Sequence, residues 1–259
     1  NGRGRSVVSV RAVHARHLVL AFDVNKTIVL SDSASGKSAR ALLNECIADA
    51  CWGTRAPDGS WRWAGGDLGL EPPPELRDSK EQLLTYSDWA TLAYPDDSGT
   101  SDVARRRSNA AKRKRDALRA GFCEANGSAP PKVAALLEPL LDAARIPEAL
   151  RTSRGASVAG LANRQTWFLL PSWLSAIRRL CEDGVSFSLQ FRTFGNDIDL
   201  VAREFNAFAC GDHPLHEGFK CDGSCGGPDL RIHFTGTWHG SYYRDGAGPV
   251  LVLGAMPSM

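Results

Sequence analysis

Apolar residues dominate from His17 to Phe22 and the run stops at Asp23; a second apolar trio, Ile28 to Leu30, follows within five residues. A stretch apolar on both faces predicts a buried central strand of a parallel sheet. From Ser38 to Cys51 the apolar positions Leu42, Leu43, Cys46, Ile47 and Ala50 recur at helical spacing, which predicts a helix. Residues 53 to 80, rich in Gly, Pro, Trp and Asp, read as a long irregular connection. Residues 103 to 121 form a basic helical segment. Lys132 to Leu150 reads as a further helix, with Val133, Leu136, Leu137, Leu140 and Leu141 on one side. The small, polar stretch Ser153 to Ala162 suggests a hinge. A helix is expected from about Gln165 to Glu182, kinked at Pro171 or restarted with Ser172 near its beginning, and ended by Asp183-Gly184. Val185 to Phe191 alternates apolar with small polar residues as a strand does and leads into Arg192-Thr193. A helix over Ile198 to Phe208, Gly- and Cys-rich turns, a strand pair within 230 to 243 and a last apolar strand, Pro249 to Leu253, complete the pattern.

The order is strand, large helical insertion, helix, strand, helix, strand, so the expected class is α/β. Roughly 150 residues separate the first two recognisable strands, too many for a plain crossover. The expected domains are a core of residues 10–31 plus 164–259 and an inserted helical cap of residues 32–163.

In open α/β sheets ligands bind outside the carboxyl ends of the strands, and two predicted strands end in Asp23 and Thr193. The segment Leu18 to Thr27, an apolar strand followed by Asp23-Val24-Asn25-Lys26-Thr27, resembles the first motif of the haloacid-dehalogenase-like (HAD-like) superfamily, Asp-x-Asp-x-Thr. Val185 to Thr193 resembles its second motif, and the insertion falls where that superfamily places a cap. The resemblance implies a HAD-like Rossmannoid core and a magnesium-dependent phosphate-ester hydrolase or phosphotransferase acting on a small phosphorylated substrate. It implies that Asp23 attacks the phosphoryl group, that Asp23 and the Asn25 carbonyl hold Mg2+, and that Thr27 and Thr193 bind phosphate. Asn25 stands where the superfamily keeps its general acid/base Asp. An amide cannot exchange a proton near neutral pH, so a slow or specialised enzyme and a catalytically silent HAD-like binding module are both open. Beyond Gly195 no convincing lysine motif or paired metal acids follow; Lys220, Asp212, Asp222 and Asp229 lie in turn-like sequence, and the core is expected to be truncated at its C-terminus.

Ser31 to Ser38, with Gly36-Lys37-Ser38, looks like a phosphate-binding P-loop of a kinase or NTPase, although Ser31 stands for its first glycine; the plainer reading is a loop or a helix cap at Ser35. His213, His216, Cys221 and Cys225 fall close enough to hold zinc, at intervals matching no familiar finger. Trp167, Phe168 and Trp173 read as core.

Charge is uneven. Arg105 to Arg119 holds eight basic residues and one acid, and the rest of the chain has 23 basic against 28 acidic residues, a balance of −5. A solvated helix face accounts for this, and a nucleic-acid contact is the alternative, though no aromatic residues interleave to stack on bases. The 43% hydrophobic content fits one large or two modest domains, and no apolar run is long enough to span a bilayer. Seven scattered cysteines make a poor disulfide framework and point to a reducing, cytoplasmic setting; four arginines and no acid in residues 1 to 22 leave an organelle as the alternative.

Overall fold

The structure, a computed structural model, describes residues 17–30, 36–77, 82–193, 197–232, 240–245 and 248–253. Over these the chain is mixed α/β with small sheets. Strand β1 (Leu18–Asp23) is followed by helix α1 (Ala39–Ala50), then β2 (Trp52–Arg55), β3 (Trp61–Trp63), β4 (Leu83–Thr85), α2 (Tyr86–Ala93) and α3 (Asp102–Ala120). Next come the short α4 (Pro131–Ala134), α5 (Leu137–Ala144), α6 (Glu148–Arg151) and α7 (Arg154–Val158), then α8 (Pro171–Glu182), β5 (Phe187–Arg192) and α9 (Ile198–Cys210). A hairpin of β6 (Gly240–Asp245) and β7 (Gly248–Leu253) closes the described chain.

β1 and β5 pair in parallel, Leu18 against Phe187 through Asp23 against Arg192. Among the described residues this sheet has two strands, and β1 is not buried on both faces as its run predicts: Val19 is 66% exposed and Leu18 41%. The hairpin forms a separate antiparallel sheet. Where sequence suggests an irregular connection, β2 pairs antiparallel with both β3 and β4. Trp-Arg-Trp in β3 is too short to show its alternation, and its pairing depends on Gly53, where any Cβ would collide with the Trp61 ring.

α1 starts where its spacing predicts, with Ser38 accepting from the Ala41 amide as its N-cap; the expected cap Ser35 lies outside the described residues. The helix expected over Lys132 to Leu150 is three pieces, α4 to α6. Its apolar stripe is narrower than drawn: Val133, Leu137 and Leu141 are buried, Leu136 and Leu140 are about 40% exposed. α8 restarts at Pro171 instead of running through from 165; Leu169 in the preceding extended segment bridges Val29. The expected hinge is packed, since Ala156, Ala159 and Leu161 are buried.

The apolar side chains gather into two clusters. One joins Val24, Ile28 and Val29 to Leu161, Trp167, Phe168, Leu169, Trp173, Leu174, Phe205 and Phe208; the expected core aromatics are there. The other joins Leu43, Ile47 and Cys51 of the α1 region to Tyr86, Phe122, Val133, Leu137 and Leu141. Leu170 packs against both.

Candidate functional site

The carboxyl ends of β1 and β5 lie side by side, and backbone hydrogen bonds fix the path of the chain beyond β1. The Val24 amide donates to the Arg192 carbonyl, 3.0 Å, extending the pairing one residue past Asp23. The Val24 carbonyl then accepts from the amides of Thr27, Ile28 and Val29 at 3.1 to 3.4 Å, winding residues 24 to 29 into one tight turn. Lys26 takes the left-handed conformation to allow it, φ 62°, a region that non-glycine residues enter at some cost. Val24, Ile28 and Val29 anchor the turn in the first cluster at 0% exposure, while Asp23, Lys26 and Thr27 face solvent.

Asp23 and Arg192 are partners in register, so both side chains emerge on the same face of adjacent strands, and Thr193 comes directly after. The structure therefore brings together Asp23, Asn25 and Thr27 on one turn with Arg192 and Thr193 on the neighbouring strand end. Arg192 is the residue that sequence reasoning passes over: it closes an apolar strand pattern, and only the register shows it beside Asp23. Asn25 Oδ1 is buried and, among the described residues, has no hydrogen-bond partner. An unsatisfied buried acceptor beside a carboxylate is a position for a donor or a cation.

The turn is tied to the insertion. Lys26 Nζ contacts Glu45 Oε2, and Lys37 Nζ donates to Glu45 Oε1 at 2.5 Å, while Lys37 also lies 3.7 Å from Asp116. Glu45 is fully buried on α1. Partial burial works against the Lys26 charge, but the hydrogen bond and charge of Glu45 outweigh it and raise the ammonium above the usual lysine range. Lys37, the lysine of the P-loop-like stretch, is thus engaged in an ion-pair cluster; residues 31–35 of that stretch, like Gly195 and residues 10–16 of the expected core, lie outside the described residues.

The candidate zinc ligands go separate ways. His213 is buried and pairs with Glu204, 3.3 Å, whose other oxygen accepts from the Leu169 amide. Burial raises the Glu204 carboxyl. His216 stands edge-on to Phe208, with both ring nitrogens unpartnered among the described residues, and Cys221 is buried. Among the described residues no three His, Cys, Asp or Glu side chains converge as metal ligands.

The α3 segment is not uniformly solvated. Arg105, Arg106, Arg107, Lys112, Arg113 and Lys114 are exposed, but Arg115 is 9% exposed, donating to the Tyr94 carbonyl and to Asp96. No described helix is long and apolar enough to cross a membrane. Comparison of the chain with protein-family models, curated proteins and solved structures gives no match.

Proposed function

We propose that the β1/β5 strand ends form a HAD-like active site for phosphoryl transfer, with residues 10–31 and 164–259 as core, 32–163 as cap, and a small phosphorylated molecule as substrate. The observation that supports this most is the parallel register that sets Asp23 against Arg192, with Thr193 one residue on. A carboxylate, a guanidinium and two hydroxyls then lie at or just past the carboxyl edge of a parallel pair, the place where α/β sheets bind ligands.

In this reading an Asp23 oxygen attacks phosphorus, the ester oxygen leaves, and water later releases phosphate from the aspartyl-phosphate, splitting one displacement into two. Arg192 and the hydroxyls of Thr27 and Thr193 hold the phosphate oxygens, and the amides of the turn add donors. Magnesium, when bound, shields the negative charge that repels nucleophile from phosphate. Asp23 and Asn25 fit it: Mg2+ needs only one or two protein carboxylates and keeps several waters, the Asn25 main-chain carbonyl can add a ligand, and the Asn25 side-chain Oδ1 has no other partner among the described residues. Asn25 cannot protonate the leaving oxygen, so esters with good leaving groups are the preferred substrates. The same residue favours a second reading, a silent module that binds an anion or a metal at these strand ends without turnover.

The two separate experimentally. Magnesium with beryllium fluoride should form a stable adduct on Asp23, detectable by fluorine NMR, and Asp23→Asn should lose it together with turnover of an aryl phosphate. Asn25→Asp should raise hydrolysis of an alkyl phosphate about tenfold or more while changing the aryl ester less. An adduct-free protein whose phosphate binding survives Asp23→Asn would leave the binding module as the account.

A further inference from the structure

Helix α3 carries its positive charge on one side. Ala104 and Arg115 are buried, and Arg115 donates to the Tyr94 carbonyl at 2.6 Å and to Asp96 at 2.9 Å, which fixes that side against the segment after α2. Arg105, Arg106, Arg107, Lys112, Arg113 and Lys114 are all exposed. Seven residues fall about 20° short of two helical turns, so the six form three stripes about 100° apart: Arg105 with Lys112, Arg106 with Arg113, and Arg107 with Lys114. The middle stripe lies opposite Ala104 and Arg115, with exposed Asn109 and Ala110 to either side of it. We propose that this face of α3 is a docking surface for double-stranded DNA, bound chiefly through its phosphates.

The charges on this face are poorly matched within the protein. Arg105 contacts Asp102, Arg107 lies 3.5 Å from Asp97, and Lys114 Nζ sits 5.2 Å from the centre of the Tyr94 ring. Among the described residues Arg106, Lys112 and Arg113 have no ion pair. Residues 103–115 contain no acid at all. A helix whose charges serve only to keep it solvated alternates their sign, whereas cations crowded on one face repel each other until a polyanion neutralises them. Outside Arg105 to Arg119 the balance of the chain is −5, so attraction for a polyanion is confined to α3.

Shape and chemistry choose among polyanions. No aromatic residue lies on α3 to stack on the bases of a single strand. An anionic bilayer fits poorly, because apart from Val103 in the first turn the exposed residues of α3 include no apolar side chain larger than alanine to enter lipid. A helix with its side chains is about 10–12 Å across, close to the width of about 12 Å of the major groove of B-form DNA, so the two outer stripes reach the phosphates of opposite strands. The major groove of duplex RNA is too deep and narrow for this.

The test is fluorescence anisotropy of a labelled DNA duplex of about 20 base pairs and mixed sequence, titrated with the whole protein from about 50 to about 200 mM KCl. Each neutralised phosphate adds about −0.9 to the slope of log affinity against log salt, so about four contacts predict a loss of roughly a hundredfold across that range. Replacing the six exposed cations by glutamine should weaken binding at the lowest salt at least about thirtyfold and flatten the slope, whereas Arg178→Gln with Arg179→Gln on α8 should change it less than about threefold. The proposal is overturned if the wild-type protein fails to bind at the lowest salt, if the sixfold variant binds as tightly as the wild type, or if the α8 variant loses as much. Equal or tighter wild-type binding to an RNA duplex of the same sequence, or to phosphatidylserine vesicles, overturns it as well. The salt series and the comparison of DNA, RNA and vesicles use the wild-type protein, and they decide the matter even if a variant fails to fold.

Discussion

His216 shows what one misplaced polar ring does to a stability profile. Burial first, then His213 and Arg178, press its pKa from 6.5 down to about 4, with Glu182 opposing. The folded chain therefore refuses a proton that the unfolded chain accepts, and stability falls as pH drops from 6.5 towards 4, by roughly 3 kcal/mol over that window. His216→Leu should flatten that slope in urea titrations from pH 7 to 4, and at pH 7 it should cost little, because both ring nitrogens are buried without partners. An unchanged slope in the variant would assign the acid sensitivity elsewhere. Glu204, raised by burial, acts in the opposite sense: its stabilisation is present below the unfolded value of 4.5 and is lost as pH rises above it, so the variant comparison cancels it. Glu45 carries a second prediction. Glu45→Gln removes the carboxylate shared by Lys26 and Lys37, leaving Lys37 only the more distant Asp116, and should cost about 2 kcal/mol, less than a fully buried pair because both lysines are partly solvated. A loss below about 0.5 kcal/mol in urea unfolding would show the cluster to be energetically idle. At this scale Asp23, Asn25, Thr27 and Thr193 are legible in sequence because each sits at or just past the end of a strand-like run. Glu45 is not, since a carboxylate at a helical position ordinarily faces water.

At the scale of elements, local signals serve well and pairing does not. Gly184 comes after α8 in the left-handed conformation, where Asp183-Gly184 reads as the end of the helix, while the caps Ser38 and Ser101 of α1 and α3 go unread in sequence. β2 to β4 escape notice because four- and three-residue strands carry too little alternation to register. In α3 the composition suggests a uniformly solvated helix, whereas Arg115 and Arg119 fold back onto Tyr94, Ser87 and Thr91. Replacing Arg105, Arg106, Arg107, Lys112, Arg113 and Lys114 together by glutamine should change stability by less than about 1 kcal/mol, for their ion pairs are solvent-screened. Arg115→Gln alone should cost about 1–2 kcal/mol through its lost bonds to a carbonyl and Asp96. Thermal unfolding of both variants checks the contrast, which fails if the sixfold change is the more damaging.

For the whole molecule, a long separation between two paired strands does not tell how the residues between them divide. Ile146, Ala156 and Leu161 lie in the stretch read as cap, yet they pack with Trp167 and Phe208 in the first cluster. Short helices broken by Pro and Gly have no periodicity that assigns them to one core or another. The second cluster centres on Phe122, wholly buried and in ring contact with Trp61 and Tyr86. Its links to the first include Leu170, which packs against both, the chain crossings from Val29 to Leu30 and from Ala144 to Ile146, the hydrogen bond from the Trp167 amide to the Ala144 carbonyl, and the Lys26 to Glu45 ion pair. With so little shared burial, damage to one cluster should not be transmitted to the other. Phe122→Ala removes a large buried ring, a change that costs about 3–5 kcal/mol. If that loss is confined to the second cluster, amide hydrogen exchange in α1 and α2 should accelerate roughly a hundredfold, whereas α8, β5 and α9 should stay within about threefold of the wild-type protein. Equal acceleration in all five elements would mean that the two clusters unfold as one cooperative unit, and that Leu170 and the ion pair couple the site to the insertion far more tightly than their burial suggests.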